Sequence, residues 1–289
     1  MGIPFTKMQG IGNDYVYING FEQTVAQPGA LARRMSDRHC GVGADGLVLI
    51  LPSATADVRM RMFNADGSEA EMCGNAVRCV GKFARERGLA ASDEVRVETL
   101  AGLKLVRLHR QEGAICAATV DMGAPELRPE RIPVLVEDGG DEERFVSRLV
   151  DVDGRAWSVT AVSMGNPHAV IVVQDLDALD LSTLGPKFEH HHLFPKRVNT
   201  EFVQVQSRAR VRMRVWERGA GETLACGTGA CAVAVACHCT GLTENDIEVE
   251  LRGGVLRICL DGGHVFMTGG AVTVFDGVYY GEEEQHGQR

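Results

Sequence analysis

Two cysteines in this chain have the same kind of neighbours, although they lie far apart in the sequence. Cys73 and Cys226 are each followed by a glycine and then by a small or polar residue. A thiolate removes a proton and a thiol returns one, so a thiol on each face of an α-carbon would invert its configuration. Most cysteines in a chain of this kind are buried structural residues, however. The choice between the two roles depends on what else links the pair.

An internal repeat links them. The offset of 153 residues that joins Cys73 to Cys226 also superimposes residues 58–61 on residues 211–214, an identical tetrapeptide. A constant offset over so long a span predicts two lobes of similar fold. The other matches are Gly12-Asn13 with Gly165-Asn166, Phe63 with Trp216, Glu69 with Glu222, and Gly88-Leu89 with Gly241-Leu242.

Each copy of the repeat predicts a strand, a glycine-containing turn, a helix and a further strand. The first strand of each copy alternates apolar and charged residues, which is typical of a half-buried strand. Each helix ends at a glycine, a residue suited to the position after a helix. The second helix is apolar on nearly all sides, which predicts that it is buried within its lobe. The predicted elements are strands over 58–63 and 211–216, helices over 72–87 and 225–240, and strands over 94–99 and 247–251.

This order of elements favours an α+β fold of two pseudo-symmetric lobes, each an antiparallel sheet or barrel wrapped around a central helix. We predict an N-terminal lobe over residues 1–124 and a C-terminal lobe over residues 125–270. Residues 271–289 are expected to return to the N-terminal lobe. The acidic run at residues 137–143 is interpreted as an exposed loop or hairpin.

The start of a predicted helix is the setting that both cysteines share. A helix N-terminus has unpaired N–H groups and a partial positive charge. These features predict a lowered thiol pKa and a binding site for a carboxylate. A carbanion-like intermediate would be stabilised by N–H groups directed at the carboxylate. The repeat therefore favours the acid–base role for Cys73 and Cys226 over the structural one.

The composition excludes several classes of protein. A formal net charge of −9 without a basic stripe argues against nucleic-acid binding. No apolar run is long enough for a membrane helix, and the N-terminus lacks the features of a secretory signal. The nine cysteines, an odd number, indicate free thiols in a reducing compartment. We therefore expect a cytoplasmic protein.

No cofactor is expected from the motifs. A pyridoxal phosphate racemase needs a Schiff-base lysine, and none of the five lysines lies in a recognisable motif of that kind. The glycines do not form a dinucleotide-binding pattern. No pair of cysteines has the spacing of a structural zinc site, so no metal is expected either.

Several sequence blocks resemble the diaminopimelate epimerase family, and together they cover nearly the whole chain. In the first half the blocks are residues 7–14 (KMQGIGND), 41–46 (GVGADG), 63–68 (FNADGS) and 72–79 (MCGNAVRC). In the second half they are residues 165–168 (GNPH), 199–202 (NTEF), 217–223 (ERGAGET) and 226–229 (CGTG).

The resemblance implies conversion of LL-diaminopimelate to the meso form without a cofactor, in the biosynthesis of lysine and peptidoglycan precursors. It makes Cys73 and Cys226 the paired acid and base. Residues that hold the reacting carboxylate would be Gly74, Asn75, Gly227 and Thr228. Residues that bind the rest of the substrate would be Asn13, Asn64, Asn166, Asn199, Glu217 and Arg218. His168 and Glu217 are candidates for tuning the thiol pair.

The substrate's second amino-acid end gives two of these roles a physical reason. Arg218 suits the distal carboxylate, and Glu217 suits the distal ammonium. Gly46 is a departure, because some family members have glutamine there. Residues 272–280 and the resemblance allow a homodimer.

Three alternatives stay open. The first is an epimerase of the same fold for another amino acid, such as histidine. The second is a cofactor-free isomerase or lyase of related fold that does not use paired thiols. The third is a thiol-switch or ligand-binding protein in which Cys73 and Cys226 form a regulatory disulfide.

Overall fold

The structure, a computed structural model, describes residues 2–136 and 143–281. Most of the acidic run interpreted as a loop or hairpin, residues 137–142, lies outside the described residues. The chain divides into two compact units, Met1–Val120 with Gly270–Arg289, and Asp121–Gly269.

Eighteen strands and four α-helices form within the described residues. The helices are α1 (Pro28–Ser36), α2 (Gly74–Glu86), α3 (Leu181–Glu189) and α4 (Gly227–Cys239). The strands are β1 (Ile3–Gly10), β2 (Asn13–Asn19), β3 (Gly46–Leu51), β4 (Val58–Asn64), β5 (Glu69–Ala70), β6 (Glu94–Thr99), β7 (Gly102–Gln111), β8 (Ala114–Asp121), β9 (Arg148–Val152), β10 (Arg155–Ser163), β11 (Pro167–Val172), β12 (Asn199–Ser207), β13 (Arg210–Glu217), β14 (Gly221–Thr223), β15 (Asp246–Leu251), β16 (Gly254–Asp261), β17 (His264–Gly270) and β18 (Val272–Tyr279).

The first unit is a mixed sheet whose strands surround α2, which packs against β1, β2, β3, β4, β6 and β7. Two of its strand pairs, β2 with β3 and β4 with β6, are parallel. Parallel neighbours need a crossover, and α1 and α2 supply the two crossovers. The last strand, β18, pairs with the first, β1, in antiparallel register.

The second unit repeats this plan. Its parallel pairs are β11 with β12 and β13 with β15, and α3 and α4 supply the crossovers. Helix α4 packs against β10, β11, β12, β15 and β16. The sheet of each lobe is therefore mixed, whereas the sequence predicted an antiparallel one. Apolar alternation reveals which face of a strand is buried but not the direction of its neighbour.

Residues that pair across strands in the first unit have equivalents, 153 positions later, that pair in the second unit. Tyr15 pairs with Gly46 in the first unit, and the equivalent pair in the second is His168 with Asn199. The next hairpin obeys the same offset, since Phe63 faces Glu69 as Trp216 faces Glu222. The prediction of two similar lobes is therefore confirmed at the level of individual residue pairs.

The two central helices begin and end as the repeat requires. Cys73 is the N-cap of α2 and Cys226 that of α4, each with extended backbone. Gly88 and Gly241 follow the helices with φ of +74° and +71°, a conformation that favours glycine. Residues 229–237 of α4 are all buried, as its apolar composition predicts. None of the described helices is long and apolar enough to cross a membrane.

Phe202 on β12 anchors the core of the second unit. Its side chain is fully buried and makes edge-to-face contacts with Phe188 and Trp157, with ring centroids 5.6 and 6.0 Å away. Phe202→Ala should lower the free energy of unfolding by about 3–5 kcal/mol, because it removes buried area and leaves a cavity. Val172→Ala, at a side chain that is 44% exposed, should cost about 0.5 kcal/mol or less. Urea unfolding measures both, and equal midpoints would contradict this account of the core.

Candidate active site

A strand-to-helix corner presents each candidate cysteine. The N-cap position leaves the cysteine outside the helix while the first N–H groups of the helix remain without intrahelical partners. In the second unit the Gly229 N–H donates to Cys226 Sγ at 3.3 Å. Both sulfurs thus lie at the positive end of a helix, as the sequence predicted.

Asn13 connects the residues around Cys73. Its Oδ1 accepts from Cys73 Sγ and from Asn75 Nδ2, both at 3.4 Å. Its Nδ2 donates to Asp45 Oδ2 at 2.8 Å. The Asp45 carboxylate therefore fixes which way the Asn13 amide points, and the oxygen of that amide faces the thiol.

Buried Arg78 donates hydrogen bonds to the first turn of α2. Its guanidinium donates to Gly74 O at 3.1 Å, to Asn75 Oδ1 at 2.9 Å and to Gly270 O at 3.3 Å. These bonds orient the Asn75 amide, which belongs to the predicted carboxylate site. Sequence reasoning missed Arg78, although its position four residues after Gly74 places it on the same helix face.

Tyr15 is a second residue that the sequence analysis missed. It is buried beside Cys73, and burial followed by the charge of Cys73 raises the pKa of Tyr15 well above its ordinary value. Tyr15 therefore remains a neutral phenol near the thiol. The repeat offered a signal, since the offset of 153 aligns Tyr15 with His168.

Asn64 is the last residue of β4, the strand that pairs with β3. It pairs with Gly46 across β3 and β4, and its Nδ2 donates to Ser68 Oγ at 3.0 Å. A Cβ at position 46 would come 2.1 Å from the Phe63 carbonyl oxygen and 2.9 Å from the Tyr15 ring. With this backbone, position 46 accepts only glycine, so the strands would have to shift to admit a larger residue such as glutamine.

A chain of hydrogen bonds leads to Cys226 in the second unit. Thr228 Oγ1 lies 3.6 Å from Cys226 Sγ and accepts from Asn166 Nδ2 at 3.4 Å. Asn166 Oδ1 in turn meets His168 Nε2 at 2.9 Å. Fully buried His168 contacts Glu201 Oε1 through Nδ1 at 2.7 Å.

Glu201 was not predicted as a site residue. A signal was present, because Glu201 follows Asn199 by two positions on one strand and so shares its face of the sheet.

The electrostatic setting of Cys226 contradicts one expectation. Burial first, and then the charges of Glu217 and Glu201, raise the pKa of the Cys226 thiol well above its ordinary value. The predicted lowering by the helix N-terminus is wrong at this cysteine, because desolvation and two carboxylates outweigh the N–H groups. Burial also raises the pKa of Glu217, although its bonds with Thr223 and Cys226 oppose the shift.

Asn199 and Arg218 lie at the edge of this cluster. Asn199 Nδ2 donates to Pro167 O at 3.1 Å, and its Oδ1 accepts from the Arg218 N–H at 2.9 Å. The Asn199 amide thereby fixes the turn that carries Arg218. The exposed Arg218 side chain donates to Lys196 O at 2.9 Å.

The contacts described above define two half-sites, one in each unit. The first groups Cys73, Gly74, Asn75 and Asn13, with Asn64 one strand away. The second groups Cys226, Gly227, Thr228, Asn166, His168 and Glu217, with Asn199 and Arg218 at its edge. No trio of His, Cys, Asp or Glu within residues 2–136 and 143–281 has a geometry that would hold a metal ion.

The raised pKa of Cys226 predicts a loss of stability in alkali. Below pH 9, the ordinary value for a thiol, Cys226 is protonated in the folded and the unfolded chain. As pH rises from there, only the unfolded chain ionises at this position, so the free energy of unfolding falls by about 1.4 kcal/mol per pH unit. Cys226→Ala should remove that part of the slope, whereas Cys40→Ala, at an exposed thiol, should retain it. Unfolding measured at several pH values tests this, and identical slopes for the two variants would contradict it.

Comparison with known proteins identifies the family of this chain. The family model described as "Diaminopimelate epimerase" matches residues 5–128 and 160–274. A diaminopimelate epimerase from Desulfovibrio desulfuricans is 66% identical, over 97% of this chain and 99% of the relative. One from Acetivibrio thermocellus is 57% identical, over 94% and 97%.

Solved structures of lower identity share the fold. A probable proline racemase from Agrobacterium radiobacter has a TM-score of 0.68 at 15% identity, over 95% of this chain and 92% of that one. A PhzF-family phenazine biosynthesis protein from Bacillus anthracis has a TM-score of 0.66 at 18% identity, over 96% and 99%. The residue blocks, the repeated helix starts and the close relatives agree, and this chain belongs to the diaminopimelate epimerase family.

Proposed function

We propose that this chain interconverts LL- and meso-diaminopimelate by moving the α-proton between the thiols of Cys73 and Cys226. The observation that carries the proposal is that these two cysteines are the N-caps of equivalent helices, 153 residues apart, in a chain of the diaminopimelate epimerase family. No cofactor takes part in the proposed reaction.

The reaction begins with one sulfur as thiolate and the other as thiol. The thiolate takes the hydrogen of the Cα–H bond as a proton, and the bonding electron pair moves into the adjacent carboxylate. The opposite thiol then gives its proton to the other face of Cα, so the two sulfurs exchange protonation states. Direct proton transfer of this kind needs each sulfur within hydrogen-bonding reach of the carbon.

The first turns of α2 and α4 supply the electrostatic part of the catalysis. Gly74 and Asn75, and likewise Gly227 and Thr228, offer N–H or side-chain donors to the reacting carboxylate. Negative charge on that carboxylate grows as the α-proton leaves, so these donors stabilise the transition state more than the bound substrate. Glycine beside each cysteine allows close approach of the substrate to the backbone.

Cys226 is proposed to start as the thiol. The carboxylates of half-buried Glu217 and fully buried Glu201 oppose ionisation of Cys226. Around Cys73 the neighbours include a neutral phenol, Tyr15, and the guanidinium of Arg78 holds the adjoining helix turn. Of the two roles predicted for Glu217, its bond with Cys226 supports tuning of the thiol. His168 joins the tuning group through Asn166 and Thr228.

The distal end of diaminopimelate carries a second carboxylate and a second ammonium. Arg218 is proposed to pair with that carboxylate, since a guanidinium binds carboxylates through two parallel hydrogen bonds. The asparagines at positions 13, 64, 166 and 199 are proposed to add neutral donors and acceptors to the binding site.

A homodimer in the cytoplasm is proposed as the working form. The apolar strand β18 supports the dimer, because its side chains at Val272, Val274, Phe275 and Val278 are 43–53% exposed. A second copy packed there would cover these exposed apolar side chains. The reducing compartment is inferred from the nine cysteines.

Loss of either thiol should stop inversion. In deuterated buffer the reduced protein is expected to exchange the α-proton of LL-diaminopimelate without added pyridoxal phosphate or metal. Cys73→Ala and Cys226→Ala should each lower the epimerisation rate by a factor of about 10³ or more, because one of the two bases is gone. Cys40→Ala should retain the parent's rate. Epimerisation by Cys73→Ala at the parent's rate would exclude the two-thiol mechanism, and exchange into histidine alone would move the function to the alternative substrate.

Arg218→Lys should weaken recognition of the distal carboxylate. A lysine makes a single point contact in place of a two-bonded pair, so kcat/KM for diaminopimelate should fall by about tenfold or more. Slow α-proton exchange of lysine, which lacks the distal carboxylate, should not change. Arg212→Lys, at an arginine paired with Asp177 and Glu250, is the matched control and should leave kcat/KM intact. Equal losses with both substrates would place Arg218 elsewhere in the mechanism.

A further inference from the structure

Glu201 is a buried carboxylate to which neither the sequence nor the family resemblance assigned a role. Its side chain is fully buried on β12, and Oε2 has no hydrogen-bond partner among the described residues. An ionised carboxylate in this position is costly unless it is paired. Its one close partner, through Oε1, is His168 Nδ1 at 2.7 Å.

The Glu201 carboxylate also lies against the first turn of α4. A Cβ at Gly229 would come 2.7 Å from Glu201 Oε1 and 3.1 Å from Cys226 Sγ. Glycine at position 229 therefore lets both the carboxylate and the thiol approach the backbone of one residue. Glu201 is thus close enough to act on the half-site.

The hydrogen bonds between Glu201 and Cys226 have one consistent direction. Asn166 Nδ2 donates to Thr228, so Asn166 Oδ1 is the atom that faces His168 Nε2. An amide oxygen only accepts, and an ionised carboxylate only accepts, so with Glu201 ionised each ring nitrogen of His168 faces an acceptor. Thr228 Oγ1 has accepted from Asn166, which leaves its own hydrogen free to point at Cys226 Sγ, 3.6 Å away.

We propose that Glu201 is a positioning residue that holds the His168 imidazole with both ring nitrogens protonated and thereby turns the Thr228 hydroxyl hydrogen toward Cys226 Sγ. This inference rests on the proposed function for its catalytic meaning. A hydroxyl donor at the sulfur stabilises the thiolate that Cys226 becomes during turnover. Without the carboxylate, His168 could present a nitrogen lone pair to the Asn166 amide, which would then reverse and release Thr228.

The repeat supplies an internal comparison. At the offset of 153, His168 corresponds to Tyr15 and Glu201 to Val48. The first half-site therefore lacks this arrangement, and there Asn13 Oδ1 accepts directly from Cys73 Sγ. The chain from Glu201 through Thr228 is a property of Cys226 alone.

The direct test is the protonation of His168 by ¹⁵N NMR on protein labelled at histidine. His168→Gln identifies the signals of this residue among the nine histidines. The parent should show two protonated ring nitrogens for His168 at neutral pH, and Glu201→Gln should show one protonated and one unprotonated nitrogen. An unchanged His168 pattern in Glu201→Gln would overturn the proposal.

Kinetics give a second readout that a purely structural role would not move. Glu201→Gln should lower kcat by about tenfold with KM within about a factor of two. The double variant with His168→Gln should be no slower than His168→Gln alone, to within about a factor of two, because both changes break one chain. Additive losses would overturn the proposal. Glu250→Gln, which removes a carboxylate paired with Arg210 and Arg212, is the matched control and should change neither readout.

Gly229→Ala keeps the test available if Glu201→Gln does not fold. The added methyl would displace the Glu201 carboxylate from His168 and should produce the same change in the His168 nitrogen signals. A parent pattern in Gly229→Ala would count against the proposal. Failure of the parent to exchange the α-proton of diaminopimelate would instead refute the proposed function, because the NMR result needs no substrate.

Discussion

Desolvation of an ionisable thiol is the constraint on which this structure depends. A sulfur at a helix N-cap is near N–H groups that favour its charge, but the same packing removes the water that would stabilise it. At Cys226 the loss of water and the nearby carboxylates prevail, and the thiol stays protonated. Glycine beside the cysteine, the asparagine amides and the threonine hydroxyl then act as fixed substitutes for that water. Their directions are set in turn by partners further back in the sheet, such as Asp45 and Glu201.

Duplication explains how one backbone plan supports two different electrostatic settings. Both lobes use the same order of strand pairs, the same crossovers and the same helix starts. The residues that surround the two sulfurs differ at equivalent positions, with Tyr15 replaced by His168 and Asn64 by Glu217. Backbone geometry therefore fixes where each thiol lies, whereas a few side chains set the electrostatic surroundings of each one. A two-base racemase needs this kind of near-symmetry, because a base must act on one face of the carbon while an acid acts on the other.

Periodicity and the repeat together were sufficient to predict both central helices and the flanking strands to within two residues, as well as the glycine that follows each helix. These features are local, since apolar spacing and glycine positions determine them. The parallel strand pairs were not predicted, because pairing direction depends on crossovers that alternation does not encode. The setting of Cys226 was also mispredicted. Glu201 approaches it from a strand 25 residues earlier, and neither its proximity nor the burial of the thiol can be read from the residues next to Cys226.

The pairing of β18 with β1 has a consequence for the order in which the lobes mature on the ribosome. The first lobe contains β1 but is completed by β18, which leaves the exit tunnel only after the whole of Asp121–Gly269 has been translated. The second lobe is continuous in sequence and has all of its strands as soon as β17 emerges. The lobe that is encoded later is therefore the first that can close, and the edge of β1 stays open to misplaced partners during that interval. The β1 edge of a nascent chain of this enzyme is therefore vulnerable to aggregation until β18 has emerged and paired with it.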